Sequence, residues 1–190
     1  MNLKSVKILI AAAIVVISAN LLAGCSPKNV SEAGMERIAE AQEMKKTVKL
    51  SLVQVKADDK GFVLRLMLDN PEKKPITSLQ AWLAYNPDDL KGISIDTAVS
   101  AFELTAPYDN NFDNEAGLMM LGRSAVSAVN DKEIVVADLH FGRVSDGVAM
   151  IEAYDYKQDL TGHTSANMML DGAPVNILLK PQSPLLILNQ

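Results

Sequence analysis

From Thr47 onward the apolar positions recur every second residue, the period of a strand with one buried face. Val48, Leu50 and Leu52 alternate with polar residues; Val53 and Val55 then shift the phase, which predicts a bulge or a strand buried on both faces. Asp58-Asp59-Lys60-Gly61 reads as a hairpin turn. Phe62, Leu64, Leu66 and Leu68 form a clean face opposite Val63, Arg65, Met67 and Asp69, and Asn70-Pro71 ends that strand. Ile76 to Tyr85 is the next strand, with Leu79, Ala81, Leu83 and Tyr85 on one side and Trp82 on the other. Asn86 to Asp89 turns the chain. Shorter strands are predicted at Gly92–Ile95, Ala101–Thr105 and Gly117–Gly122, and a strong one at Ile134–Val144 with Val135, Ala137, Leu139 and Phe141 facing the same way. Ser145-Asp146-Gly147 is a turn. Val148–Tyr156, Asn167–Leu170 and Pro174–Leu179 follow, with a tight turn at Asp171-Gly172, and the tail from Lys180 reads as an edge strand or a short extension.

Short strands with turn signals between them predict an all-β fold, an antiparallel β-sandwich of about nine strands. Its core should hold Leu64, Leu66, Leu83, Leu139 and Phe141, with Val136 and His140 on the opposite face of their strand.

The first 46 residues have a different texture. Lys4 and Lys7 precede an unbroken apolar run from Ile8 to Ile17, shorter than the roughly 20 residues a spanning helix needs. Leu22-Ala23-Gly24-Cys25 follows and resembles the bacterial lipobox, whose cysteine thiol accepts a lipid. Residues 1–24 are therefore expected to be a signal peptide. Residues 25–46 then form a polar tether, with a short weak helix from Ser31, and residues 47–190 form the sandwich domain. Cys25 is the single cysteine, so intramolecular disulfides are excluded. The expected location is extracytoplasmic: a covalent lipid on Cys25 holds the protein to the cell membrane or outer membrane, facing the surface. Loss of Lys4 and Lys7 takes the formal charge from -5 to about -7, a balance that argues against nucleic acid as a partner.

Candidate chemistry is sparse. The two histidines, His140 and His163, lie in a strand and in a loop, and Ser165 lacks a glycine-flanked elbow, so no catalytic residue is assigned and no enzyme is expected. The richest polar cluster, Tyr108 to Glu115, offers Asp109, Asn111, Asp113 and Glu115 as oxygen ligands for a structural calcium ion; the alternative is a solvated turn. Trp82 and Tyr108 are the rings expected to face a ligand.

The order of motifs resembles a cohesin domain, a jelly-roll β-sandwich related to cellulose-binding modules. The resemblance runs through Leu66-Met67-Leu68-Asp69-Asn70 and then Leu79 to Leu90, where Tyr85-Asn86-Pro87 stands in place of Tyr-Asp-Pro. It continues through Phe112 to Leu121 and ends at Ile134 to Phe141 with its buried Phe. It implies a non-catalytic module for protein binding, adhesion or assembly at the cell envelope, with a dockerin-like or other surface protein as partner. The alternative is a carbohydrate-binding module acting on a polysaccharide.

Overall fold

The alternating segments pair as their periodicity demands. The computed structural model describes residues 45–189, so the expected signal peptide, Cys25 and the expected tether up to residue 44 lie outside the described residues. Eleven strands follow in order: β1 (Lys49–Asp58), β2 (Gly61–Asp69), β3 (Ile76–Tyr85), β4 (Leu90–Asp96), β5 (Leu104–Asp113), β6 (Leu118–Val129), β7 (Glu133–Arg143), β8 (Val148–Ala153), β9 (Ser165–Leu170), β10 (Ala173–Asn176) and β11 (Leu186–Asn189). β3 has the predicted bounds, because its alternation is unbroken. The tail is an edge strand, β11, paired with β8.

Two antiparallel sheets result. The smaller has the order β1-β2-β7-β4; the larger runs β10-β9-β3-β6-β5, with β8 joining β3 beyond β9 and β11 outside β8. β3 therefore shares one edge between two partners, β9 along Ser78–Gln80 and β8 along Leu83–Tyr85. The inward faces interdigitate, which is the antiparallel β-sandwich expected of this sequence. Leu64, Leu66, Leu83, Leu139 and Phe141 are all buried, as their parity requires. Phe141 of the small sheet meets Tyr85 and Phe112 of the large sheet edge-on, with ring centroids 5.3 and 5.1 Å apart.

At one corner the sheets are also stitched by backbone. Val48 forms a parallel bridge to Leu178: its N–H donates to Ile177 O and its carbonyl accepts from Leu179 N. Contacts begin just before it. Lys46 Nζ donates to Gln158 O and lies 5.8 Å from the Tyr156 ring centroid, and Lys45 O accepts from Lys74 Nζ.

Bulges account for the main departures from the sequence reading. The phase shift in β1 is a bulge between Gln54 and Lys56; Val53 and Val55 are both exposed, so the strand is not buried on two faces. A second bulge falls in β7 opposite Leu66 and Met67. It turns Val135 outward against Met67 and leaves Val136 fully buried, the reverse of the predicted parity. Below the bulge the prediction holds, and His140 pairs on the outer side with Val63. The third departure is β5, described below.

Arg65 and Asp138 face each other across β2 and β7 and form a bidentate pair at 2.8 Å. The Arg65 guanidinium holds the Asp138 carboxyl below its ordinary range, against the opposing effect of burial. A depressed carboxylate stabilises the fold above its unfolded pKa of about 4 and loses that contribution as pH falls through the lower folded value. Asp138→Asn is therefore expected to lower stability at neutral pH and to flatten the acid limb below about pH 4. Urea midpoints measured from pH 2 to 7 check both effects.

Candidate functional site

The outer face of the large sheet carries the ring and side-chain features singled out in the sequence. On β3, Ser78, Gln80, Trp82 and Ala84 point outward between the buried Leu79, Ala81, Leu83 and Tyr85. Register then builds a surface across four strands. Ile187 opposes Met150, Glu152 opposes Ala84, Ala84 opposes Leu118, and Trp82 opposes Met120. Ile187, Met150 and Val148 are about half exposed, so this end of the face presents apolar side chains to solvent.

Trp82 faces outward as predicted, but its ring is not free. The loop between β8 and β9 folds His163 onto it, with centroids 4.1 Å apart and planes 29° apart. Tyr154 flanks the indole on a near-parallel plane at 6.1 Å. A glycine closes this loop: a Cβ on Gly162 would lie 2.6 Å from both Asp155 O and Lys157 N. Asp155 takes a left-handed φ of 46° and accepts a 2.6 Å hydrogen bond from His163 Nδ1. That bond, assisted by Lys157, holds the Asp155 carboxyl below its ordinary range. The indole N–H of Trp82 is buried without a partner. The cluster joins residues 82, 154, 155 and 163. Sequence reading missed it because nothing in the local pattern of the His163 loop points to a strand 81 residues away.

The acidic cluster is not a solvated turn. Residues 104–113 form β5, and its register with β6 jumps from Thr105–Arg123 to Asn110–Leu121. Residues 106–109 therefore arch over one β6 residue, Gly122, where a Cβ would lie 2.6 Å from the Ala106 Cβ. Tyr108 sits in this arch with φ 69°, a left-handed conformation rare for a bulky residue, and is 94 % exposed.

Three of the four proposed calcium ligands have separate side-chain engagements. Asp109 Oδ2 accepts from Gln80 Nε2, Asn111 Nδ2 donates to Tyr108 O, and Asp113 Oδ1 accepts from Glu115 N and Ala116 N. Among the described residues no three histidine, cysteine or carboxylate groups converge. The residue of this stretch that matters structurally is Asn114. Its Oδ1 accepts from Tyr85 OH and Gly92 N, and its Nδ2 donates to Gly92 O.

No nucleophile system is assembled at Ser165. Its Oγ accepts from Asn167 Nδ2, whereas His163 is bonded to Asp155. Arg123, which the periodicity did not single out, is buried, and its guanidinium donates to Phe102 O and Thr105 Oγ1. Burial lowers its pKa, and Glu103 opposes that shift.

No protein-family model and no curated protein sequence matches the chain. Solved structures do. The third cohesin of ScaC from Acetivibrio cellulolyticus, solved in complex with the ScaB dockerin, is 16 % identical with a TM-score of 0.53, over 70 % of this chain and 93 % of that one. CaCohA2 from Clostridium acetobutylicum is 12 % identical with a TM-score of 0.52, over 73 % and 87 % of the respective chains. With its two antiparallel sheets and their order along the chain, the described domain has the cohesin fold.

Proposed function

We propose that this protein is a non-catalytic binding module that takes a partner protein on the outer face of its large sheet, at the cell envelope. The observation that carries this reading is the apolar surface formed in register by Ile187, Met150, Ala84, Leu118 and Met120 beside the Trp82 stack. The face is a hydrogen-bonded sheet, so its backbone is fixed before any partner arrives and only side chains are ordered on docking. Asn111 on β5 borders it beside Met120, and Glu152 on β8 places one carboxylate within it between Met150 and Ala84. A compact module of the dockerin kind is the partner class proposed. The ScaC cohesin of the same fold was solved with such a module bound.

Attachment to the envelope is proposed through a lipid on Cys25, supported by the Leu22-Ala23-Gly24-Cys25 motif and the charged and apolar segments before it. Buried acyl chains contribute about 0.8 kcal/mol per methylene. Cys25→Ser is therefore expected to move the protein from the membrane fraction to the soluble one; membrane retention of the variant would show that the apolar run itself is the anchor.

The partner surface is tested by capture from secreted proteins, followed by titration of the captured protein after purification alone. Met150→Lys and Met120→Lys are expected to weaken that binding at least about tenfold, as buried apolar contacts at the centre of an interface do. Val63→Lys, on the outer face of the small sheet, should leave it unchanged. The reverse order of effects would move the site to the other sheet.

A further inference from the structure

The opposite end of the same face holds a recess that the apolar surface does not use. Its floor is Gly122, an outward position without a side chain, between Gln80 of β3 and the β5 arch. Asp109 and Ala106 of the arch wall one side, and Ser78, Ser124 and Asn167 close the other. Its volume is about 230 Å³, the space of seven or eight liquid waters at about 30 Å³ each, or of one pyranose ring.

The lining chooses among ligand classes. Its lining mixes carboxylate, amide and hydroxyl groups with apolar surface from Leu79 and Ala106, so a wholly apolar ligand would strip the polar groups of water without return. The one cation, Arg123, spends its guanidinium on Phe102 O and Thr105 Oγ1, and the carboxylate of Asp109 repels a second anion. A neutral polyhydroxylated ligand fits, because each hydroxyl both donates and accepts. Among the described residues Asn167 Oδ1, on a residue lining this recess, is a buried polar atom without a partner. Buried polar groups are nearly always paired, so this amide oxygen marks a place where a further partner is wanted. Beside Asp109, the arch holds the Tyr108 ring in solvent, against the conformational preference of its backbone. A flat exposed ring is the group that stacks on the C–H face of a sugar.

We infer that this recess is a glycan-binding site that takes one neutral sugar ring of a polysaccharide, held by Asp109, Gln80 and Asn167, with Tyr108 stacking on the chain. The recess lies on the same face beyond Met120 and Trp82, at the end away from Met150.

The test is calorimetric titration of the full chain with neutral hexasaccharides of glucan, xylan, mannan and galactan, and with a polyuronic hexasaccharide. At least one neutral sugar is expected to bind. Asp109→Asn, Asn167→Ala and Tyr108→Ala should each weaken it at least about tenfold while the thermal midpoint is retained. Met150→Lys should leave it unchanged, which separates this site from the protein surface. Absence of binding to every neutral sugar overturns the inference. So does tighter binding of the polyuronic sugar, or binding indifferent to Asp109→Asn and Asn167→Ala.

Discussion

Phe141→Ala is expected to cost about 3–5 kcal/mol, a large share of the roughly 5–15 kcal/mol that stabilises a domain of this kind. The ring is 1 % exposed and lies between two others, Tyr85 and Phe112, both edge-on to it. Truncation therefore loses the transfer energy of the ring, two aromatic contacts of about 0.5–1.5 kcal/mol each, and leaves a cavity between sheets that backbone hydrogen bonds keep apart. The neighbouring residue supplies the control. His140 faces outward opposite Val63, and His140→Ala should cost well under about 1 kcal/mol. Val136→Ala is expected to fall between them, at about 2 kcal/mol, because the β7 bulge buries its two methyl groups. Urea unfolding of the three variants reads the series; equal losses at His140 and Phe141 would reverse the parity of β7.

The second large effect is expected at Asn114. One amide clips both sheets at their shared end: Oδ1 accepts 2.7 Å bonds from Tyr85 OH of β3 and Gly92 N of β4, and Nδ2 donates to Gly92 O at 2.9 Å. Burial pushes the Tyr85 hydroxyl up, so it remains a protonated donor across the working pH range. Asn114→Ala removes the partner of three groups, two of them on the buried Gly92. The expected cost is about 2–3 kcal/mol, because unpaired buried donors and acceptors are more expensive than a hydrogen bond is favourable. Thermal unfolding should show Tm lower by about 5–10 °C. Asn114→Asp, which keeps the acceptor and loses the donor, should fall between wild type and alanine.

What the sequence revealed follows the range of each interaction. Where alternation is regular, as in Phe62–Leu68 and Ile76–Tyr85, a period of two suffices to place both element and face. The hairpin at Asp58–Gly61 was equally legible, since Asp58 Oδ1 accepts from Lys60 N and Gly61 N within four residues. Bulges broke the reading. One inserted residue in β7 sends Val135 outward and Val136 inward, and two valines in succession carry no mark of which one is extra. The polar string Tyr108–Glu115 looked like a turn because an edge strand exposes nearly every side chain, leaving no apolar alternation to detect. The His163–Trp82 stack and the recess around Gly122 depend on tertiary register alone. Tyr108 was singled out, but its strained backbone was visible only in the fold.

The stitch at Val48 has a mechanical meaning. A protein held by its N-terminal side and gripped on its large sheet transmits tension between the two. Tension entering at Val48 meets the bonds to Ile177 and Leu179 before it reaches the β1–β2 hairpin. The bridge is thus the first element in the load path, and the long ladder of β1 and β2 is loaded only after it yields.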